Sequence, residues 1–362
     1  MRPKPFFSSN LPCLVTFFGI LIFFGFRHSL IKQATCAITS LYEPSPWETF
    51  WSDNIDSLRS FDKDWDNGCK QLFKDAPKIK IWLDYWEKRN NILKEGGPGV
   101  GKILKDLHWD TDIFSRFIYS DSCTGATIAT VPIEPLVGFL RHPLALCGGK
   151  IGTAEYTSDP YRLSKDYLIV PHIEELHASS DSSNSRSSYF FDLGASIYSS
   201  GAGGASQSWF MEMYESLGVS FDRILAWDPK PYPPDTIFND VPDRFLPRLS
   251  YFNIGISEVG TKHDPLRFIT ELTKPLDTVI LKVDIDHVKL EQQLIQELMS
   301  NPLLLSLVDE LYLEHHVTGS AMTLNGWQSD KSVFSVMDKD IVDSYEWFAY
   351  LRQKGIRAHS WV

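Results

Sequence analysis

The sequence predicts an α/β fold in its C-terminal half: a largely parallel sheet with helices on both faces. A mostly helical N-terminal region and an apolar segment of near-membrane length precede it. Three observations predict this. From Ser188 onward, short apolar runs alternate with helical patterns. Those runs are apolar on both sides, as strands sandwiched between helix layers are. They also end in Asp, Glu, His or Gly, where an open α/β sheet presents its ligand-binding rim.

At the N-terminus, Leu11–Phe26 is a nearly uninterrupted apolar run flanked by Arg2 and Lys4 and by Arg27 and His28. Its 16 residues fall between a signal core and a full span of about 20 residues. The reading is an uncleaved signal anchor: a single-pass, type II membrane protein with its body in the ER or Golgi lumen. Secretion after signal cleavage is the alternative. No N-glycosylation sequon occurs in the chain. Residues 1–44 are assigned to tail, anchor and stem, 45–176 to a helical and mixed N-terminal region, 177–188 to a polar linker, and 189–362 to the α/β domain. Trp47, Phe50, Trp51, Ile55, Leu58 and Phe61 recur at steps of three and four, predicting one amphipathic helix whose aromatic stripe is core.

The net charge of −11, with no long basic run, excludes electrostatically driven nucleic-acid binding. Five scattered cysteines lack metal-binding spacing and are read as buried thiols. One disulfide among Cys69, Cys123 and Cys147 is the alternative in an oxidising compartment. "EGGPGVGKIL" (95–104) mimics a phosphate-binding loop, but Ile103 stands where a Mg²⁺-holding Ser or Thr is required, and a polar helix precedes the glycines instead of a strand. A helix C-cap and tight turn is the expectation there.

In the C-terminal half, strands are predicted at 188–196, 221–229, 248–257, 275–286 and 307–317, with "IRAHSWV" as a terminal strand. Helices are predicted at 205–218, after Asp286, and in "IVDSYEWFAYLRQKG". The first strand runs into a turn carrying Gly194, Gly201, Gly203 and Gly204, which lets a ligand approach backbone and a helix N-terminus. Asp228 closes the second strand, where a carboxylate can accept both hydroxyls of a ribose. In "LKVDIDH", period-two alternation puts Lys282, Asp284 and Asp286 on one side and His287 on the other. Glu314, His315 and His316 end the fifth strand. These acids and histidines converge on one rim, a costly arrangement without function or partners.

The motifs "FFDLGAS", "AWDP", "LKVDID" and "ELYLEHHV", spread over roughly 187–362, resemble the FkbM-type class I methyltransferases, which use S-adenosylmethionine. The resemblance implies a Rossmann-like seven-stranded sheet whose antiparallel final hairpin "IRAHSWV" would help to supply. It also implies methyl transfer to a hydroxyl of a sugar, glycan or small metabolite. Asp192, Gly194, Ser196, Gly201, Gly203, Gly204, Asp228 and Asp284 would then hold the cofactor. Asp286 with His315 or His316 would act in catalysis, a histidine serving as base. Ser196 stands where such first motifs usually carry glycine. The rim also has donors suited to a divalent cation such as Mg²⁺ or Mn²⁺. Two other readings remain open. One is a Golgi-type glycosyltransferase using Asp284-x-Asp286 to hold Mn²⁺, and the other is a membrane-tethered, non-catalytic relative.

Overall fold

The computed structural model describes residues 38–58, 65–145, 147, 160–176, 186–200, 206–319 and 338–361. The apolar run Leu11–Phe26, Phe61 and the glycines at 201, 203 and 204 lie outside them. Among the described residues, no helix is long and apolar enough to cross a membrane.

The main sheet is built from β4 (Ser188–Leu193), β5 (Arg223–Trp227), β6 (Leu249–Phe252), β7 (Thr278–Val283), β8 (Glu310–Leu313) and β9 (Arg357–Ser360). Their order is β6-β5-β4-β7-β8-β9, and every neighbouring pair is parallel. Counted from the first strand of the sheet, this is the doubly wound order 3-2-1-4-5-6, whose direction reverses between β4 and β7. Phe190, Phe191, Ile224, Leu225, Ile280, Leu281 and Leu311 are almost completely buried, as strands flanked by helices on a parallel sheet must be. The resemblance implied seven strands with an antiparallel end. Among the described residues there are six, and Arg357–Ser360 runs parallel to β8, in register Glu310↔Arg357 to Leu313↔Ser360.

The N-terminal region is less helical than its sequence predicts. The strands β1 (Ile38–Glu43), β2 (Ser115–Asp121) and β3 (Thr127–Ile133) form an antiparallel sheet around Tyr42, Phe117, Val131 and Ile133. Residues 38–43, assigned to a stem, are therefore paired along their length with β2. The aromatic stripe is not one helix. Helix α1 (Pro46–Asp53) starts at Ser45, whose side chain accepts from the Glu48 amide, and ends at Asn54. The short α2 (Ile55–Leu58) follows. Trp47 and Trp51 are buried, whereas Phe50 is 48% exposed, because the face repeats only across that short span.

Helix α3 (Trp65–Phe73) leads to α4 (Ala76–Glu95), which buries Ile79, Trp82, Tyr85 and Arg89 at helical spacing. Helix α4 ends at Gly96 (φ +61°), and Gly99 (φ +86°) opens α5 (Val100–Lys105), so the glycine-lysine stretch is a cap and a turn. Ala37–Val362 is one compact unit. One apolar core runs from Trp47 to Trp361, beside the smaller cluster of the antiparallel sheet.

A buried chain of charges joins these regions. The Glu134 carboxylate, just after β3, accepts from His359 Nδ1 at 2.7 Å, from Arg352 at 3.1 Å and from the Ile169 amide at 2.9 Å. His359 Nε2 meets Glu310 at 2.8 Å, and Glu310 also takes Arg357 at 3.0 Å. Arg352, from α12 (Ile341–Gln353), donates to the carbonyls of Ala358 and Glu134 and to the Tyr42 hydroxyl, and lies 3.6 Å from Glu48. Three carboxylates thus balance three cations with almost no exposure to water. Burial disfavours a charged His359, but Glu134 and Glu310 outweigh it and raise its pKa. For Glu310 burial is outweighed by Arg357 and His359, and the pKa falls to about 2.

Cys69 and Cys147 form a disulfide across 78 residues, and Cys123 is also disulfide-bonded. This corrects the buried-thiol reading. By chain entropy, a loop of that length stabilises the fold by about 4.5 kcal/mol.

Two outcomes follow. Peptide mapping of the unreduced protein recovers Cys69 linked to Cys147, and reduction lowers the melting temperature. The folded pKa of Glu310 lies below its ordinary value of 4.5, so its stabilisation is full above that pH and is lost as pH falls toward 2. Glu310→Gln is therefore less stable at pH 7 by about 3 kcal/mol, a gap that narrows on acidification, as urea midpoints at pH 7 and pH 3 will report.

Candidate functional site at the carboxyl ends of the strands

The rim begins where β4 and β7 end side by side. Asp192 and Lys282 are direct cross-strand partners, so their side chains share one face of the sheet. The Lys282 ammonium is wholly buried; it donates to the Gly194 carbonyl at 2.9 Å and forms ion pairs with Asp192 at 3.2 Å and Asp284 at 3.0 Å. Burial disfavours the Lys282 charge, but Asp284 and Asp192 more than restore it and its pKa rises. Burial likewise opposes the charge on Asp284, yet Lys282 outweighs it and the carboxyl titrates low. Asp192 has only part of that ammonium, so burial wins there and its pKa rises.

Gly194 has φ +83°, and a Cβ on it would lie 1.5 Å from the Asp284 carbonyl. Only glycine lets the first turn pass so close to the end of β7, at the point where the strand order reverses. Ser196 follows with φ +54°, so it adopts the left-handed conformation that glycine takes without strain. Three contacts hold it there. Its amide donates to Asp228 at 2.9 Å, its carbonyl accepts from the Tyr251 hydroxyl at 2.6 Å, and its hydroxyl lies 3.3 Å from that of Tyr232. The other oxygen of Asp228 accepts the Lys230 amide at 2.8 Å. Each oxygen keeps a lone pair that a ribose hydroxyl can use.

Beyond β7 and β8 the acids and one histidine come together. Donor atoms of Asp286, Glu314 and His316 lie within 4.8 Å of one another. The His316 Nδ1 is 2.8 Å from Glu291, which stands in the first turn of α10 (Val288–Ser300) and also accepts the Ile285 amide at 3.0 Å. Burial pushes the His316 pKa down, but Glu291 and Glu314 outweigh it and lift it to about 10. Burial, with Asp284 next to it, raises Asp286 to about 6 and holds Glu314 well above the carboxylate range. Asp286 sits at φ +54°, and its side chain is half exposed, so it faces the approach to the site.

Arg141 and Lys165 reach this rim from the N-terminal region. Arg141 lies 3.7 Å from Glu314, and Lys165 sits over the Trp361 ring at 4.9 Å. Burial and the nearby Arg141 lower the Lys165 pKa to about 8. The Tyr345 hydroxyl donates to the Gly138 carbonyl and that of Tyr167 to Ser360, fixing the covering segments against the sheet.

The structure therefore brings together Asp192, Gly194, Ser196, Asp228 and Asp284 along one stretch of rim, and Asp286, Glu314 and His316 along the next. His315 sits apart. Its Nδ1 is 2.7 Å from Ser344, its ring stacks on Trp347, and burial lowers its pKa to about 3. His287 caps α10 through Nδ1 to the Leu290 amide. Of the two histidines only His316 faces the acid cluster, with Glu291 on its Nδ1. Sequence reasoning missed Glu291, Arg141 and Lys165. Only the acid in the first turn of a helix was a readable signal for the first, and nothing local marks the other two.

Gly194→Ala forces both the strained φ and the collision with Asp284. The expected loss is about 3 kcal/mol or more in urea unfolding, with Gly96→Ala, whose Cβ meets nothing closer than 4.0 Å, as the milder comparison.

Comparison of the chain with protein-family models, with curated proteins and with solved structures found no match.

Proposed function

We propose that the chain is an S-adenosylmethionine-dependent methyltransferase acting on a hydroxyl of a sugar, glycan or small metabolite. The observation that carries this reading is the Asp228–Ser196 turn. A carboxylate ending the second strand of a doubly wound sheet receives the amide of a left-handed turn after the first, beside two tyrosines. That arrangement offers a ribose two carboxylate acceptors at a rigid edge, close to the strand-order reversal. Transfer from a sulfonium needs alignment of oxygen, methyl carbon and sulfur more than activation, and Arg141 and Tyr167 from the N-terminal region close on the rim and its last strand. Asp286, half exposed, is positioned to take the hydroxyl proton.

A nicotinamide dinucleotide is the second reading, favoured by the parallel pairing of all six strands of the main sheet among the described residues. The glycosyltransferase reading loses support because Asp284 is committed to Lys282. The disulfide fits a lumenal or extracellular setting for the body of the protein.

Thermal unfolding of the full chain distinguishes these. S-adenosylhomocysteine at one hundred times its dissociation constant stabilises the fold by about 2.7 kcal/mol, and Asp228→Asn abolishes most of that shift. A shift with NAD⁺ alone, or only with a sugar nucleotide and Mn²⁺, overturns the proposal.

A further inference from the structure

We propose that Asp286, Glu314 and His316 bind a divalent transition-metal ion at the carboxyl ends of β7 and β8. The imidazole Nε2 lies 3.7 Å from Asp286 Oδ1 and 3.5 Å from Glu314 Oε2. Those gaps are too long for hydrogen bonds. They match the edge of a coordination shell, because ligands each about 2.1 Å from a tetrahedral ion stand about 3.4 Å apart.

The histidine is also oriented as a metal ligand. Glu291 holds Nδ1 at 2.8 Å and is itself fixed by the Ile285 amide, which fixes the ring and turns Nε2 toward the two carboxylates. One imidazole with two carboxylates suits Mn²⁺ or Zn²⁺. Three protein ligands and the exposed flank of Asp286 leave an open position for a substrate oxygen. An ion there would polarise the acceptor hydroxyl, while the second oxygen of Asp286 stays available for its proton. The site stands whichever donor cofactor the neighbouring crevice takes.

The test uses the full chain, stripped with a chelator and titrated with Mn²⁺, the free ion being read by electron paramagnetic resonance. One Mn²⁺ binds per chain and is displaced by Zn²⁺. Asp286→Asn, whose half-exposed side chain and left-handed backbone tolerate the amide, weakens binding by about tenfold or more, and Glu314→Gln does the same. The proposal is overturned if the wild-type chain binds neither ion at millimolar concentration, or if both variants bind as the wild type does. Failure here leaves the S-adenosylhomocysteine shift unaffected, so the two readings fail separately.

Discussion

The interaction on which the rest of the structure depends is the buried linkage Glu310–His359–Glu134–Arg352–Glu48. A doubly bonded imidazolium and two guanidinium groups are held out of water only because three carboxylates meet them with good geometry. Removing any one member strands a charge in the core, which costs far more than the linkage gains over an apolar substitute. Its value is specificity. It fixes β9 parallel to β8, because His359 must reach Glu310 on one side and Glu134 on the other while stacking on Tyr312. It also locks the antiparallel sheet, α1 and the residues after β3 against the last helix. The rim of β7 and β8 then acquires Arg141 and Lys165 from a region that carries no strand of the main sheet.

The rim follows a second rule, that buried charge is compensated locally. Lys282 pairs with Asp192 and Asp284 and donates to the Gly194 carbonyl, so the crevice near Asp228 has a fixed, pre-neutralised floor. The cluster at Asp286 differs. Its donor atoms, from Asp286, Glu314 and His316, stand within 4.8 Å of one another, and that convergence distinguishes a place for binding from a place for support.

The C-terminal strands were legible in the sequence because burial on both faces leaves unbroken apolar runs, and their acidic or glycine ends mark the rim. Asp192, Gly194, Asp228 and Asp284 could be placed on that rim for the same reason. The partnership of Lys282 with Asp192 was not readable, since it depends on the register of β4 against β7. The choice between His315 and His316 was equally hidden: adjacent residues differ only in which neighbouring helix they face, Ser344 and Trp347 for one and Glu291 for the other. The antiparallel sheet escaped because Ile38–Glu43 and Thr127–Ile133 are partly exposed, β-branched runs that look like connecting segments until they are paired. The helix Pro265–Leu272 also went unpredicted, although Asp264 before Pro265 is a readable start signal.

The contact of Arg352 with Tyr42 spans 310 residues of chain. A growing polypeptide therefore holds β1, α1 and the turn after β3 with their buried acids lacking a cation until Arg352 has been made. Loop closure over that distance is slow, and the early segments expose carboxylates and aromatic surface in the meantime. Strand β1 is accordingly fixed late, and a chain interrupted before α12 has nothing to close upon.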